Sequence, residues 1–361
     1  MKKIISLSAA MLAFVFVFTA CCKKEEPKAK NVIFMIGDGM GISQAYAAHW
    51  INGGHLCMMD EAQNITLQQT FSANSKITDS AASGTALATG VKTNNYMVGM
   101  TPDSVALESI LAQAARNGKA TGEVVTVFLQ HATPAAFVAH QPDRGMYEEI
   151  AMDFLKTTPD VMLGGGVKYF EHRSDSLNLS DSLRARGFDV VYTLEDAQQS
   201  SSDKLLALLA EDYMPTMLEG RGDYLPQAVD LAIKKLNTNK NGFFLMVEGS
   251  QIDSRCHASD LPGTIAETID FDKAVKVAID FAKADGNTLV VVTADHETGG
   301  LALLQKTETD DMEHFAGKYS LKSHTGIPVP VYLFGPGAEL YETMGDNTMH
   351  KAIMAKVMGL K

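Results

Sequence analysis

The chain has 361 residues, 46% of them apolar and 20% charged, the balance of a globular protein with a sizeable core and not of a disordered one. Its formal net charge of −12 argues against a nucleic-acid partner, because a phosphate backbone needs a basic face. An acidic surface also steers anions poorly, so phosphate chemistry here would call for a local positive centre, which in such a protein means bound metal ions.

Lys2 and Lys3 precede an apolar run from Ile4 to Phe18, and Thr19-Ala20-Cys21 follows, so residues 1–20 read as a secretory signal. A small residue before Cys21 resembles a bacterial lipoprotein cleavage box, although Phe18 stands where that box usually carries Leu. The expectation is an exported protein, in the periplasm or at the cell surface, lipid-anchored at Cys21. An ordinary signal peptide or a retained anchor is the alternative, the run being short of the ~20 residues a spanning helix needs. Residues 21–30, with Lys23, Lys24, Glu25 and Glu26, read as a solvated tether, and loss of Lys2 and Lys3 takes the net charge to −14. No linker follows, so residues 31–361 read as one catalytic domain.

Asn31 to Ile36 is an apolar run of strand length, with a Gly-rich loop from Gly37 to Gly41 and a helix-like stretch through Trp50 behind it. Ser104 is placed to cap a helix that runs to Asn117 and stops at Gly118. Strand-like runs recur at Gly122 to Leu129, Val161 to Leu163, Phe243 to Val247, Thr288 to Thr293 and Val329 to Phe334, rich in the residues that suit strands buried on both faces. Between them Leu225 to Leu236 reads as helix, and Thr264 with Glu267 forms a capping box for a helix to about Ala284. Alternating strands and helices predict an α/β protein, a three-layer α/β/α sandwich around a largely parallel sheet. Cys57 and Cys256 could pair outside the cytoplasm, but sequence does not establish that geometry.

Three acids stand directly after these strands: Asp38, Glu248 and Asp295. In an open α/β sheet, ligands bind beyond the carboxyl ends of the strands, and carboxylates converging there repel unless cations neutralise them. His296 follows Asp295 at once, Asp253 and His257 are four apart and share one side of a helical turn, and His324 precedes the last long strand. Asp with His suits zinc, whereas an all-oxygen set suits magnesium. The small-residue run from Thr78 to Ala86 opens a helix, whose dipole would favour the alkoxide of Ser80 and a neighbouring zinc far more so. Taken singly, each acid could be a cap or loop residue, and Ser80 a helix cap. His49, His55, His172, His314 and His350 have no comparable setting.

These residues resemble the alkaline phosphatases. The likeness rests on Asn31 to Gly41, Thr78 to Thr93, His131 to Ala136, Val247 to Asp253, Thr293 to His296 and His324 to Gly326, which occur in family order over nearly the whole chain beyond the tether. It implies hydrolysis of phosphate monoesters with a phosphorylated Ser80, and Arg144 gripping the phosphate as a bidentate fork. One zinc would take Asp253, His257 and His324, a second Asp38, Asp295 and His296 beside the Ser80 oxygen, and magnesium Asp38, Thr133 and Glu248. Asp79 flanks the nucleophile, and Ser83 is expected to bond locally within the first helical turn. His131 stands where the best-known bacterial members carry Asp, and Ser254 where they carry Lys; both lie around the magnesium and the phosphate. Imidazole is a better zinc than magnesium ligand, which leaves the third metal's identity open, and His131 reads as an outer residue bonded to metal-bound water. Inorganic phosphate is the implied product inhibitor, and a homodimer is allowed. The short stretch from Gly299 to Lys322 implies a reduced or absent accessory crown domain. The rival classes are a phosphodiesterase or sulfatase on the same metal frame, and a non-catalytic phosphate-binding lipoprotein.

Overall fold

The computed structural model describes residues 28–305 and 315–361. The expected signal, the expected anchor at Cys21, most of the expected tether and His314 lie outside the described residues. Among the described residues no helix is long and apolar enough to cross a membrane.

Fourteen strands are described. They are β1 (Asn31–Gly37), β2 (Asn64–Gln69), β3 (Ala120–Phe128), β4 (Val161–Gly165), β5 (Asp189–Val191), β6 (Leu205–Leu208), β7 (Phe243–Gly249), β8 (Thr288–Thr293), β9 (Glu297–Thr298), β10 (Leu301–Leu304), β11 (Ala316–Tyr319), β12 (His324–Thr325), β13 (Val329–Phe334) and β14 (Met344–Asp346). Ten of them form one sheet in the order β14-β2-β13-β8-β1-β7-β3-β4-β6-β5. Only β13 runs against its neighbours, β2 and β8; the other pairs are parallel. The predicted sandwich is therefore observed.

The central strands divide their side chains between two cores. Val32, Phe34 and Ile36 of β1 face one, with helices Ser80–Thr89, Ile110–Arg116, Ala132–Val138 and Met349–Met358, while Ile33 and Met35 face the other, with helices Ile42–Ile51, Tyr224–Leu236 and Leu261–Asp285. Burial on both faces explains why β1, β7 and β8 read as unbroken apolar runs. Because these three and β3 are parallel, Asp38, Glu248, Asp295 and the start of the 132–138 helix all reach one edge of the sheet.

Two helix starts differ from those predicted. Ser104 sits in a turn at φ 61°, and its helix begins only at Ile110, where the Ser109 hydroxyl accepts the Ala112 N–H at 3.1 Å. The intervening chain is spent on a bridge between Met100 and Ala106. The long helix starts at Leu261 with Asp260 as its cap, accepting from Gly263 N–H at 3.0 Å. Glu267 has a stronger partner than a capping box would give it, since it shares the buried Arg221 guanidinium with Asp270. Cys57 and Cys256 are both free thiols. Between β9 and β12 stands the antiparallel pair β10 and β11.

Candidate active site

Ser80 is the first residue of its helix and does not cap it; the cap is Asp79, whose Oδ1 accepts the Ala82 N–H at 3.0 Å. The Ser80 hydroxyl lies 3.2 Å from His296 Nε2. Asp79 Oδ2 accepts from Arg144 Nη1 and from the Tyr96 N–H, each at 3.2 Å, and the Arg144 N–H returns to the Tyr96 carbonyl at 2.8 Å. Tyr96 bridges the pair at φ 74°, a left-handed conformation that costs a non-glycine residue about 1–2 kcal/mol. The guanidinium is thereby fixed beside the serine with donors to spare.

Three groups of side chains bring donor atoms within 4.8 Å of one another: Asp253, His257 and His324; Asp38, Asp253 and His296; and Asp38, His131 and Glu248. In the first, His257 Nδ1 bonds the Lys322 carbonyl at 2.9 Å and His324 Nδ1 the Thr78 carbonyl at 2.8 Å. A carbonyl only accepts, so each Nδ1 carries a proton, and whenever the ring is neutral its Nε2 presents a lone pair. Those two Nε2 atoms face each other at 3.2 Å, with Asp253 Oδ2 3.1 Å from the His257 nitrogen. Two lone pairs and a carboxylate converging on one point suit a cation.

The second group is set by Thr298, to which sequence reasoning gave no role. Its hydroxyl donates to Asp253 Oδ1 at 2.5 Å, so toward His296 Nδ1, 3.1 Å away, it can only accept. That proton on Nδ1 leaves the His296 Nε2 lone pair aimed at Asp295 Oδ2, 3.2 Å away, and Asp38 Oδ1, 3.5 Å away. Gly39, at φ 72°, leaves no room for a Cβ against Asp253 and donates its N–H to Asp295 Oδ1 at 3.1 Å. Ser83 does not bond locally. It donates to the Asp295 carbonyl at 2.6 Å and accepts from Asn347 Nδ2 at 2.9 Å, tying the helix of Ser80 to the Asp295 loop.

In the third group Ser250 donates to Glu248 Oε2 at 2.6 Å, and the buried Thr133 lies close enough to act on the same carboxyl. Both oxygens of Asp38, Glu248 Oε1, Asp295 Oδ2 and His131 Nδ1 are buried without a hydrogen-bond partner. Orphaned acceptors of this kind are what bound metal ions would satisfy. Ser254 is part-buried on the Gln251–His257 helix that carries Asp253.

The electrostatics agree. Burial, with Asp295 and Asp253 nearby, holds the Asp38 carboxyl well above its ordinary value; burial likewise pushes Asp295 up to about 7 and Glu248 up to about 8. Asp253 is buried too, yet in the metal-free protein a proton on His257 Nε2 gives it a hydrogen bond that holds it low. That same hydrogen bond raises His257 to about 9, while burial and then Arg144 push His131 down to about 3. Anionic carboxylates cannot share this space with one Arg unless further positive charge arrives. A serine oxygen, a fixed guanidinium and that positive charge together can bind a phosphoryl group and accept it.

The family model described as alkaline phosphatase matches residues 29–314. Alkaline phosphatase 4 of Bacillus subtilis is 34% identical, over 93% of this chain and 90% of its own. The alkaline phosphatase of Escherichia coli K12 is 35% identical, over 92% and 87%. Among solved structures, the alkaline phosphatase of the Antarctic bacterium TAB5 superposes with a TM-score of 0.89 at 40% identity, covering 93% of this chain and all of that one. His-to-Asp and His-to-Glu mutants of that protein have been solved with Mg bound in the M3 site. With the family model covering most of its length, this chain belongs to the alkaline phosphatase family and is a phosphatase.

Proposed function

We propose that the chain hydrolyses phosphate monoesters in two in-line displacements with Ser80 as nucleophile. The observation that carries this is the placement of Ser80 Oγ at a helix start, 3.2 Å from His296 Nε2 and beside a guanidinium held by Asp79. In the first displacement Ser80 gives its proton to water, its oxygen forms a bond to phosphorus as the bond to the alcohol oxygen breaks, and the alcohol leaves with a proton from water. In the second, water attacks phosphorus, the bond to Ser80 breaks, and serine regains its proton. Arg144 binds two phosphoryl oxygens throughout and takes no part in proton transfer.

Asp253, His257 and His324 would hold one zinc, and Asp38, Asp295 and His296 a second. Asp38, Thr133 and Glu248 would hold a third divalent ion, with His131 near enough to ligate it directly or through water. Such ions supply Lewis-acid stabilisation of the negative charge on the serine and phosphoryl oxygens. Magnesium bound in the M3 site of two mutants of the TAB5 protein, in which Asp or Glu replaces a His, fits that ion's preference for carboxylates. The imidazole of His131 tilts that site here toward zinc. Export and a lipid anchor at Cys21 fit a protein that works on phosphate esters outside the cytoplasm.

Labelled phosphate trapped from a substrate at low pH should be found on Ser80. Ser80→Ala should keep its metals and lose most of the rate, and chelation should abolish activity that zinc restores. Overall inversion at a chiral phosphate, or wild-type turnover by Ser80→Ala, would falsify the mechanism.

A further inference from the structure

One wall of the active-site mouth is aromatic in a way the phosphate chemistry does not require. Phe128, at the end of β3, receives the rings of Tyr147 and Tyr213 edge-on, at centroid distances of 5.1 and 5.2 Å. The Tyr213 ring also lies 6.2 Å from that of His131, which belongs to the third donor group. The Arg144 guanidinium lies within electrostatic reach of Tyr147 and Tyr213. The wall therefore borders the phosphate grip on one side and the metal-ligand cluster on the other.

Tyr213 is nevertheless 50% exposed, and its hydroxyl makes no hydrogen bond among the described residues. Its exposure does not come from a loose loop. On one side of it the Asp212 carbonyl packs against Gly165 so closely that no Cβ fits there. On the other, Gln251 Nε2 donates to the Met214 carbonyl at 2.9 Å, from the helix that also carries Asp253. A rigid, half-exposed ring beside an anion site offers a pre-formed π face at little entropic cost on binding.

We propose that Tyr213, backed by Phe128 and Tyr147, is the subsite for the organic half of the substrate and selects phosphate monoesters whose alcohol is a planar aromatic ring over those of small alkyl alcohols. This rests on Ser80 and Arg144 binding a phosphoryl group at the same mouth. An aromatic ring packed on Tyr213 while its phosphate is gripped by Arg144 gains an offset or edge-to-face contact that an alkyl group cannot make. The phosphate itself makes the same contacts in both cases.

The test separates ring from phosphate. Phenylphosphonate and methylphosphonate, neither of which turns over, are titrated calorimetrically into zinc- and magnesium-replete protein. The wild type should bind the phenyl compound about tenfold more tightly. Tyr213→Leu, which keeps apolar packing on Phe128, should erase most of that preference while changing methylphosphonate binding less than twofold. Tyr213→Phe should keep the preference, since the face and not the hydroxyl is used. Equal affinities in the wild type, or equal weakening of both compounds by Tyr213→Leu, overturn the subsite. Selective phenylphosphonate binding by a protein that hydrolyses no monoester leaves the subsite standing and removes the hydrolase.

Discussion

Thr298 joins two side chains of the donor clusters that the chain supplies from different elements, Asp253 from the helix after β7 and His296 from the loop after β8. Its single proton decides which nitrogen of His296 is free. Thr298→Val keeps the shape, removes the hydroxyl, and leaves both partners unsatisfied, a loss of about 1–3 kcal/mol in stability. Zinc affinity, measured by competition with a chelator, should fall about 10–100-fold, and Thr298→Ser should recover most of it. Unaltered zinc affinity in Thr298→Val would show that the bond holds nothing in place. The contrast with Asp38, Glu248 and Asp295 shows what sequence makes legible. Those acids stand out because each lies at or just past the carboxyl end of a strand buried on both faces, and parallel strands bring their ends to one edge. A threonine two residues beyond a histidine carries no such signal. The long-range bonds of Ser83 are equally hidden, since nothing in the small-residue run says that Asn347 and the Asp295 carbonyl meet there.

At the scale of elements, the helix that presents Ser80 is positioned by how closely it approaches the Ala132–Val138 helix. A Cβ on Gly84 would lie 3.2 Å from Ala136 Cβ and 3.3 Å from Thr133 Cα. Gly84→Ala sets a helix-propensity gain of up to about 1 kcal/mol against that crowding, so its stability should change little. Gly84→Val should cost about 1–3 kcal/mol in urea unfolding and lower kcat, because the strain is relieved by moving Ser80 away from the Asp38 and Thr133 side. A Gly84→Val protein with wild-type kcat would show that the two helices do not set the site's geometry. Element boundaries were less legible than element identities, for a local reason. Ser104 and Ser109 both look like caps, and so do Asp260 and Thr264; tertiary demands chose between them, a bridge to Met100 in one case and the Arg221 ion pairs in the other. The three-residue strands β5 and β14 lie at the sheet's edges, where one-sided or partial burial leaves no apolar run to detect.

Across the whole molecule, the buried charge makes folding and metal binding one problem. In metal-free protein Asp38, Asp295 and Glu248 keep their protons to higher pH than in the unfolded chain, chiefly because of burial, with Asp295 at about 7 and Glu248 at about 8. Groups raised in this way contribute stability below their unfolded values, near 4, and that contribution is lost as pH rises through the folded ones. His257, raised to about 9 by its hydrogen bond to Asp253, acts in the same sense: its contribution is full below about 6.5 and gone above 9. His131 and His350 oppose this, because burial pushes both down to about 3, but their effect is complete once pH passes the ordinary histidine value of about 6.5. Asp253 is held low and loses its contribution only in acid. Between about pH 6.5 and 9 the groups still titrating, Asp295, Glu248 and His257, therefore act in the falling direction, and the Tm of the metal-free protein should drop across that interval by about 5 °C or more. Bound zinc would neutralise the carboxylates and favour only the folded chain, so the zinc-loaded protein should be more stable throughout, with a flatter profile over the same interval. Calorimetric scans of both forms at several pH values check this. A metal-free Tm that is level or rises from pH 6.5 to 9 would mean that the carboxylates find compensation within the protein, and that the pressure to bind cations inferred from their burial does not exist.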